Sequence, residues 1–259
     1  MALIALWVVC LLAPILAPFG YDQLFTAPRL LAPSSAHLFG TDESGRDVLS
    51  RLLYAGRLSL AISLGATVFG VGLAIVLGVI SGYAAGLFDL IFQRVTDAVQ
   101  ALPALVILLV LAAMFKGDRI IILTAVSLLF APAGGRLFRS ATLALREQPF
   151  VEAARVVGAS PQRVVLSHVL PNVFPLIIVY ATAVVGANLL LLATLSFLGF
   201  INGDYPDWGT MLNLSAASYM VTAPWLVIAP GAAITLAVLA YNLLGDTLRD
   251  VLDPRLRGS

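Results

Sequence analysis

Few residues in this 259-residue sequence have the types and spacing that catalysis or metal binding requires. The two histidines, His37 and His168, are far apart and lack the ligand spacing of a zinc site. The only cysteine, Cys10, cannot form an internal disulfide, and its apolar surroundings predict a buried, unreactive thiol. The sequence also contains no GxxxxGK(S/T) phosphate-binding loop. We therefore expect no catalytic residue, no metal site and no cofactor bound by this chain.

The segment 146–172 combines charged residues with signals for two short helices. Pro149 suits the first turn of a helix, and Gly158 suits the left-handed position that ends one. Glu152 and Arg155 are expected on the polar side of this first helix. Helical spacing of apolar residues predicts a stripe on the other side, formed by Phe150, Ala153, Ala154 and Val157.

A second short helix is predicted to follow at once. Ser160 is a favourable N-cap and Pro161 a favourable first residue, so residues 161–169 would form a helix of roughly 14 Å. We expect Pro171 to stop this helix before Asn172 opens the next apolar stretch. Two helices that meet at a glycine are typical of a protein-docking element. An amphipathic hairpin on lipid headgroups fits the same pattern, so both interpretations stay open.

The elements that carry this segment must lie in a membrane. Hydrophobic residues make up 60% of the sequence and charged residues only 11%, whereas soluble domains contain about 25% charged residues. Together with a mean hydropathy of +0.99, this excludes a soluble domain, a disordered chain and a disulfide scaffold. The net charge of +1 leaves no basic surplus for nucleic acid. The composition predicts an all-α, polytopic protein in contact with lipid.

Six stretches are predicted to span the membrane, since a span needs roughly 20 mostly apolar residues. They are 2–19, 58–82, 98–115, 120–135, 173–201 and 219–245. The first could instead be a signal peptide, but no Lys or Arg precedes it and no clear cleavage site follows it. A retained first helix is therefore preferred. Gly78, Gly82 and Gly86 repeat every four residues, which predicts a close helix–helix contact.

The arginine distribution predicts the orientation. The connection 202–218 contains no Lys or Arg, whereas the region between the fourth and fifth stretches and the C-terminal tail are rich in arginine. These arginines are Arg136, Arg139, Arg146, Arg155 and Arg163, and then Arg249, Arg255 and Arg257. We therefore expect both regions to be cytoplasmic, the connection 202–218 to be external and, with six spans, the N-terminus to be cytoplasmic. The segment 20–57, with four arginines, would then be external and fits the rule least well.

Several motifs together make the sequence similar to a known family. The spacing of Glu152-Ala153-Ala154, Gly158 and Leu170-Pro171 resembles the EAA motif of ABC-importer permeases. Three further stretches resemble the dipeptide/oligopeptide/nickel branch of that family, namely 39–54 (FGTDESGRDVLSRLLY), 195–200 (LSFLGF) with Trp208-Gly209, and 240–258. The resemblance covers roughly residues 37–258 and is greatest to the second, C-type permease of the paired systems.

The resemblance implies a type I ABC importer transmembrane fold. Residues 58–247 would form the permease domain with a cytoplasmic EAA loop at 146–171. Residues 1–57 would add an N-terminal helix and an external amphipathic segment, and 248–259 a cytoplasmic tail. The implied function is import of di- or oligopeptides across the cytoplasmic (inner) membrane of a prokaryote by alternating access. Nickel or another small solute is the alternative cargo. A secondary transporter is less favoured, because no charge lies in the middle of a confident span.

The implied partners are a second permease in a heterodimer, two ABC ATPase subunits that would bind ATP and Mg²⁺, and an extracytoplasmic solute-binding protein. Residues 161–169 would be the coupling helix that lies in a groove of one ATPase. The residues expected to couple the chain to the ATPase are Glu152, Ala153, Ala154, Arg155, Gly158, Ser160, Pro161, Arg163, Leu170 and Pro171.

Other candidate residues lie outside the EAA loop. Tyr205, Asp207 and Trp208 are candidates for contact with the binding protein, and ordinary anchoring at the membrane interface is the alternative. Asn188 is a candidate for the transport pathway, although a hydrogen bond between helices is favoured. Residues 44–57 are predicted to form an amphipathic helix with Asp47 and Arg51 at i, i+4, for which a helix lying on the membrane surface is the alternative.

Overall fold

A computed structural model describes residues 1–201 and 205–252. Most of the described residues are helical, residues 17–47 are not, and the only bridge among the described residues is an isolated antiparallel one between Thr41 and Asp47, so the all-α prediction is confirmed. The helices are α1 (Ala2–Leu11), α2 (Ala13–Leu16), α3 (Val48–Ala84), α4 (Gly86–Gln100), α5 (Ala104–Met114), α6 (Arg119–Arg146), α7 (Pro149–Val156), α8 (Pro161–Val164), α9 (Leu170–Phe197), α10 (Trp208–Tyr219) and α11 (Trp225–Leu252). A π-helical turn, Val165–Val169, joins α8 to α9.

Four helices of the described chain are long and apolar enough to cross a membrane. They are α3, α6, the continuous run Pro161–Phe197, and α11. The pair α4 and α5 meets the same test only when taken together, and it is bent by 79°. The described residues therefore contain four spans, or five if the bent pair is one span, where the sequence predicted six.

Prolines explain most of this difference. Pro103 lies in the break between α4 and α5, and a proline disfavours helical backbone at the residue before it. The predicted first span is also interrupted: Leu12 separates α1 from α2, and α2 ends before Ala17, which is extended and precedes Pro18. α1 has only 10 residues, or about 15 Å, which is half of a hydrocarbon core.

The predicted amphipathic helix 44–57 is not a separate element. α3 begins at Val48 and continues for 37 residues through the predicted second span. Asp47 accepts hydrogen bonds from the backbone N–H and hydroxyl of Ser50, and its other oxygen lies 2.9 Å from His37. The expected Asp47–Arg51 pair is therefore wrong. Arg51 instead lies 3.6 Å from Asp42.

The chain divides into two compact units. The described residues of 1–65, 109–122 and 185–241 form the first, called here the Trp208 unit. Its core contains Val48, Leu60, Leu189, Trp208 and Ala237, all nearly or fully buried.

The described residues of 66–108, 123–184 and 242–252 form the second, called here the EAA unit. Its core contains Ala74, Phe138, Val151, Val164 and Val169. The last three belong to α7, α8 and the π-helical turn, so the EAA loop contributes directly to the core that supports it.

Close helix packing in the EAA unit depends on two of the three predicted glycines. A Cβ at Gly78 would overlap the backbone of Gly135, and one at Gly82 would lie 2.7 Å from the carbonyl oxygen of Arg139. The backbones of α3 and α6 therefore approach each other as small-residue spacing predicts. Gly86 does not take part, because it lies beyond α3 in open space.

Candidate functional site

The first helix of the EAA loop, α7, packs through a different stripe from the predicted one. Val151 is fully buried and Ala154 packs on the same core, whereas Phe150 and Val157 are exposed. The predicted stripe of Phe150, Ala153, Ala154 and Val157 is therefore wrong except for Ala154. Val151 and Ala154 share the i, i+3 spacing that helical periodicity recognises, but periodicity alone cannot identify which apolar face meets the core.

The two charged residues of α7, Arg155 and Glu152, differ in their contacts within the protein. The guanidinium of Arg155 lies 5.2 Å from the ring centre of Tyr83, near the end of α3. Arg146 donates a hydrogen bond of 3.1 Å to the carbonyl oxygen of the same Tyr83, so two arginines attach the loop to α3. Glu152 is exposed, and its carboxylate makes no hydrogen bond or ion pair with any described residue. Its carboxylate is available to a partner.

Gly158 ends α7 as predicted. Its φ is +85°, and its N–H donates to the carbonyl of Arg155 while the N–H of Ala159 donates to that of Ala154. This pair of hydrogen bonds is a Schellman motif, which satisfies carbonyls that the end of the helix would otherwise leave unpaired. A rigid elbow, rather than a loose loop, therefore joins α7 to α8.

The second helix begins as predicted but does not end as predicted. Ser160 caps it by accepting a hydrogen bond from the backbone N–H of Arg163, and Pro161 is its first residue. The helix then continues through the π-helical turn and past Pro171 to Phe197. The predicted stop at Pro171 is wrong. The side chain of Asn172 donates a hydrogen bond of 2.6 Å to the carbonyl of His168 in the turn where proline removes a backbone donor.

The EAA loop exposes a set of large apolar side chains that the motif does not include. Val156 and Val157 are 81% and 84% exposed, and Phe150 and Leu166 are also exposed. These four residues are called here the apolar projection. A group of exposed apolar residues beside charged ones is typical of a protein interface.

The predicted coupling residues surround the apolar projection within the EAA unit. Most are exposed, namely Glu152, Ala153, Arg155, Gly158, Ser160, Pro161, Arg163 and Pro171, while Ala154 and Leu170 are half-buried. The sequence analysis did not identify Val156 and Leu166. An apolar residue close to an arginine in a charged segment, as Val156 is to Arg155 and Leu166 to Arg163, is a signal that could have indicated them.

Two ion pairs beside the loop were also missed. Arg139 binds Asp89, with one N–H···O distance of 2.6 Å, and Arg136 binds Asp97 at 2.6 Å. Both pairs attach α4 to α6 within the EAA unit. The arginines had been used only to predict orientation, because partners about 40 to 50 residues away cannot be identified from one sequence.

The residues expected to contact a binding protein lie in the Trp208 unit and are largely buried. Asp207 caps α10 by accepting from the N–H groups of Gly209 and Thr210. Trp208 is 1% exposed, and its indole N–H donates to the carbonyl of Leu52 at 3.0 Å. This burial argues against direct contact of Asp207 or Trp208 with a partner in this conformation. Tyr205, which is half-buried, remains a candidate.

Asn188 is fully buried in the Trp208 unit. Its side chain does not face an open path in this conformation, and a role in the pathway stays a prediction.

Comparisons with known proteins identify the family to which a chain with this EAA loop and these apolar helices belongs. The family model for the binding-protein-dependent transport system inner membrane component matches residues 74–258. The chain is 37% identical over 254 residues to a dipeptide transport system permease protein of Alkalihalophilus pseudofirmus, covering 96% of this chain and 82% of the relative. It is 38% identical over 256 residues to a glutathione transport system permease protein of Pectobacterium atrosepticum, covering 98% and 83%. The resemblance drawn from the motifs is confirmed. The chain belongs to the binding-protein-dependent inner membrane components, the permeases of ABC importers with the type I membrane fold.

Proposed function

We propose that this chain is one permease of a heterodimer that imports di- or oligopeptides. The names of the relatives favour this cargo, since one is a dipeptide permease and another a permease for glutathione, itself a small peptide. No specific observation favours nickel. Cargo would reach the permeases on an external binding protein and leave into the cytoplasm.

The observation that carries the mechanism is the EAA loop, in which the elbow at Gly158 presents the apolar projection beside Glu152, whose carboxylate has no hydrogen-bond or ion-pair partner among the described residues. We propose that this surface docks on one of two ATPase subunits, which bind ATP and Mg²⁺, and that this chain does not hydrolyse ATP itself. Apolar contacts would supply most of the affinity, and Glu152 would fix the register of the docked helix.

Docking fits the packing of the loop better than a hairpin lying on lipid headgroups. Val151, Val164 and Val169 are fully buried in the EAA unit, so α7 and α8 are fixed to the protein and not to lipid. The continuous helix from Pro161 to Phe197 gives a rigid route from the docking surface into a membrane span. A movement of the ATPase would therefore be transmitted along α9.

Alternating access follows from this coupling. ATP binding would draw the two ATPases together and open the permeases outward, and hydrolysis would reset them. The two states need differ by only a few kcal/mol, so that ATP and loaded binding protein can shift their populations.

Reconstitution tests the proposal. The complete complex in proteoliposomes, supplied with binding protein and a labelled dipeptide, should take up peptide only with ATP. Uptake that follows an imposed proton gradient without ATP would instead identify a secondary transporter. ATP hydrolysis by the purified chain alone would contradict the division of labour.

A further inference from the structure

Three tyrosine rings from three separate segments converge in the Trp208 unit. The centre of the Tyr21 ring lies 5.4 Å from that of Tyr54 and 4.6 Å from that of Tyr205, and the Tyr54 and Tyr205 centres are 6.2 Å apart. All three side chains are half-buried, so each keeps part of its surface accessible. Tyr21 precedes α3, Tyr54 lies in its first turns and Tyr205 precedes α10.

The backbone of two of the three tyrosines is anchored. Arg119 donates a hydrogen bond of 2.6 Å to the carbonyl oxygen of Tyr205, and Tyr54 is fixed by the helix α3. Aromatic side chains that are already ordered lose little conformational entropy on binding.

An arginine lies beside the cluster. Arg57 is exposed and follows Tyr54 by three residues on α3, and its guanidinium forms no ion pair or hydrogen bond with any residue in the described ranges. Its charge acts on Tyr205, but burial has the larger effect and raises the pKa of that phenol. Asp207, the neighbouring carboxylate, is already engaged by the N–H groups at the start of α10 and lies 3.7 Å from Arg119.

We propose that Tyr21, Tyr54, Tyr205 and Arg57 form a docking surface for an acidic patch of the extracytoplasmic binding protein. The inference rests on the proposed function and on its orientation in the membrane. Tyrosine and arginine are the residues enriched at the energetic centres of protein interfaces. The exposed charge of Arg57 favours a partner that supplies a carboxylate, and such a pair affects the association rate and its salt dependence.

Charge reversal tests the surface in the complete reconstituted complex. The measured quantity is the concentration of copurified binding protein, loaded with alanyl-alanine, that gives half-maximal stimulation of ATP hydrolysis. Arg57→Glu should raise this concentration about tenfold at low salt, and less at high salt. Arg57→Lys should stay close to the wild type. The matched control is Arg29→Glu, because Arg29 is an exposed arginine of the same unit that lies over the ring of Phe25, and it should cause no comparable rise.

Four outcomes would overturn the inference or its basis. Equal effects of Arg57→Glu and Arg29→Glu would show that the tyrosine cluster is not the docking surface. An effect confined to peptides with a free carboxylate, and absent with amidated ones, would identify a cargo site. An effect that depends on the anionic lipid content of the vesicles would identify lipid contact. A wild-type complex that no loaded binding protein stimulates would instead overturn the proposed function itself.

Discussion

The backbone conformation of Gly158 determines how α7 and α8 meet. At φ +85° this residue lies in the left-handed region, where side chains with a Cβ are disfavoured. A Cβ placed there would meet no atom within 4 Å, so the penalty of a substitution comes from the backbone and not from a clash. The relaxation that relieves this strain would tilt α8, and with it the apolar projection.

We expect Gly158→Val to insert normally but to reduce peptide uptake strongly. The left-handed conformation costs about 1–2 kcal/mol for a residue with a Cβ, and the position lies outside the predicted spans. Uptake and binding-protein-stimulated ATP hydrolysis, both measured in the reconstituted complex, should fall together. Gly231→Val in α11 is the matched control, because a Cβ there also meets open space but the backbone is not left-handed. Normal uptake and stimulation by Gly158→Val would show that the ATPase docks elsewhere.

A second prediction for a single residue concerns Glu152. Because its exposed carboxylate forms no hydrogen bond or ion pair with a described residue, Glu152→Gln should change the free energy of unfolding by no more than about 0.5 kcal/mol. Its effect should appear in the affinity for the ATPase subunit, measured by titrating detergent-solubilised permease with that subunit. The neighbouring exposed Glu147 provides the control Glu147→Gln. Weakening by both variants to the same extent would contradict a specific role for Glu152.

At the scale of elements, the sequence predicted the two short helices, their elbow and their capping residues, because these depend on local chemistry at Ser160, Pro161 and Gly158. It failed where the outcome depends on distant parts of the chain. Val151 rather than Phe150 faces the core because the rest of the EAA unit lies on that side. The helix passes Pro171 because a π-helical turn and the Asn172 side chain compensate for the proline. The stacking of Arg155 on Tyr83 joins residues that no local pattern relates.

The attachment of α4 to α6 gives a prediction at the same scale. The Asp89–Arg139 pair is half-buried, at 14% and 25% side-chain exposure, whereas Asp97 and Arg136 are 54% and 42% exposed. Removing a hydrogen bond to a charged group costs about 1.5–3 kcal/mol, but exposed pairs contribute only about 0–1 kcal/mol. We therefore expect Asp89→Asn to lower the thermal unfolding midpoint of the permease more than Asp97→Asn. The double variant with Arg139→Gln should recover part of the loss, and equal effects of the two aspartate variants would contradict this order.

For the whole molecule, hydropathy predicted the membrane class and the positions of α3, α6, α9 and α11. It could do so because polar groups are costly to bury in lipid, so a spanning helix must consist mostly of apolar residues whatever its neighbours are. It overcounted at 2–19, which forms two short helices, and at 98–115, where Pro103 lies in the break between α4 and α5. The division into two compact units was not predicted, since it depends on contacts between segments far apart in sequence.

Membrane orientation is the remaining prediction at this scale, and every partner proposed here depends on it. Residues 136–163, from the end of α6 into the EAA loop, contain five arginines and 202–218 has none, so the EAA loop should be cytoplasmic. The segment 20–57 is the most informative one to test, because its four arginines oppose the predicted external placement.

Single-cysteine labelling tests this orientation. Cys10 is buried and is the only cysteine, so Cys10→Ser gives a background for single cysteines at the exposed positions Asp22 and Gln162. In intact cells an impermeant thiol reagent should label Asp22→Cys and not Gln162→Cys, and permeabilised cells should show labelling of both. The reverse pattern would place the EAA loop outside the cell, where it could not contact a cytoplasmic ATPase, and the tyrosine cluster would then be unavailable to an external binding protein.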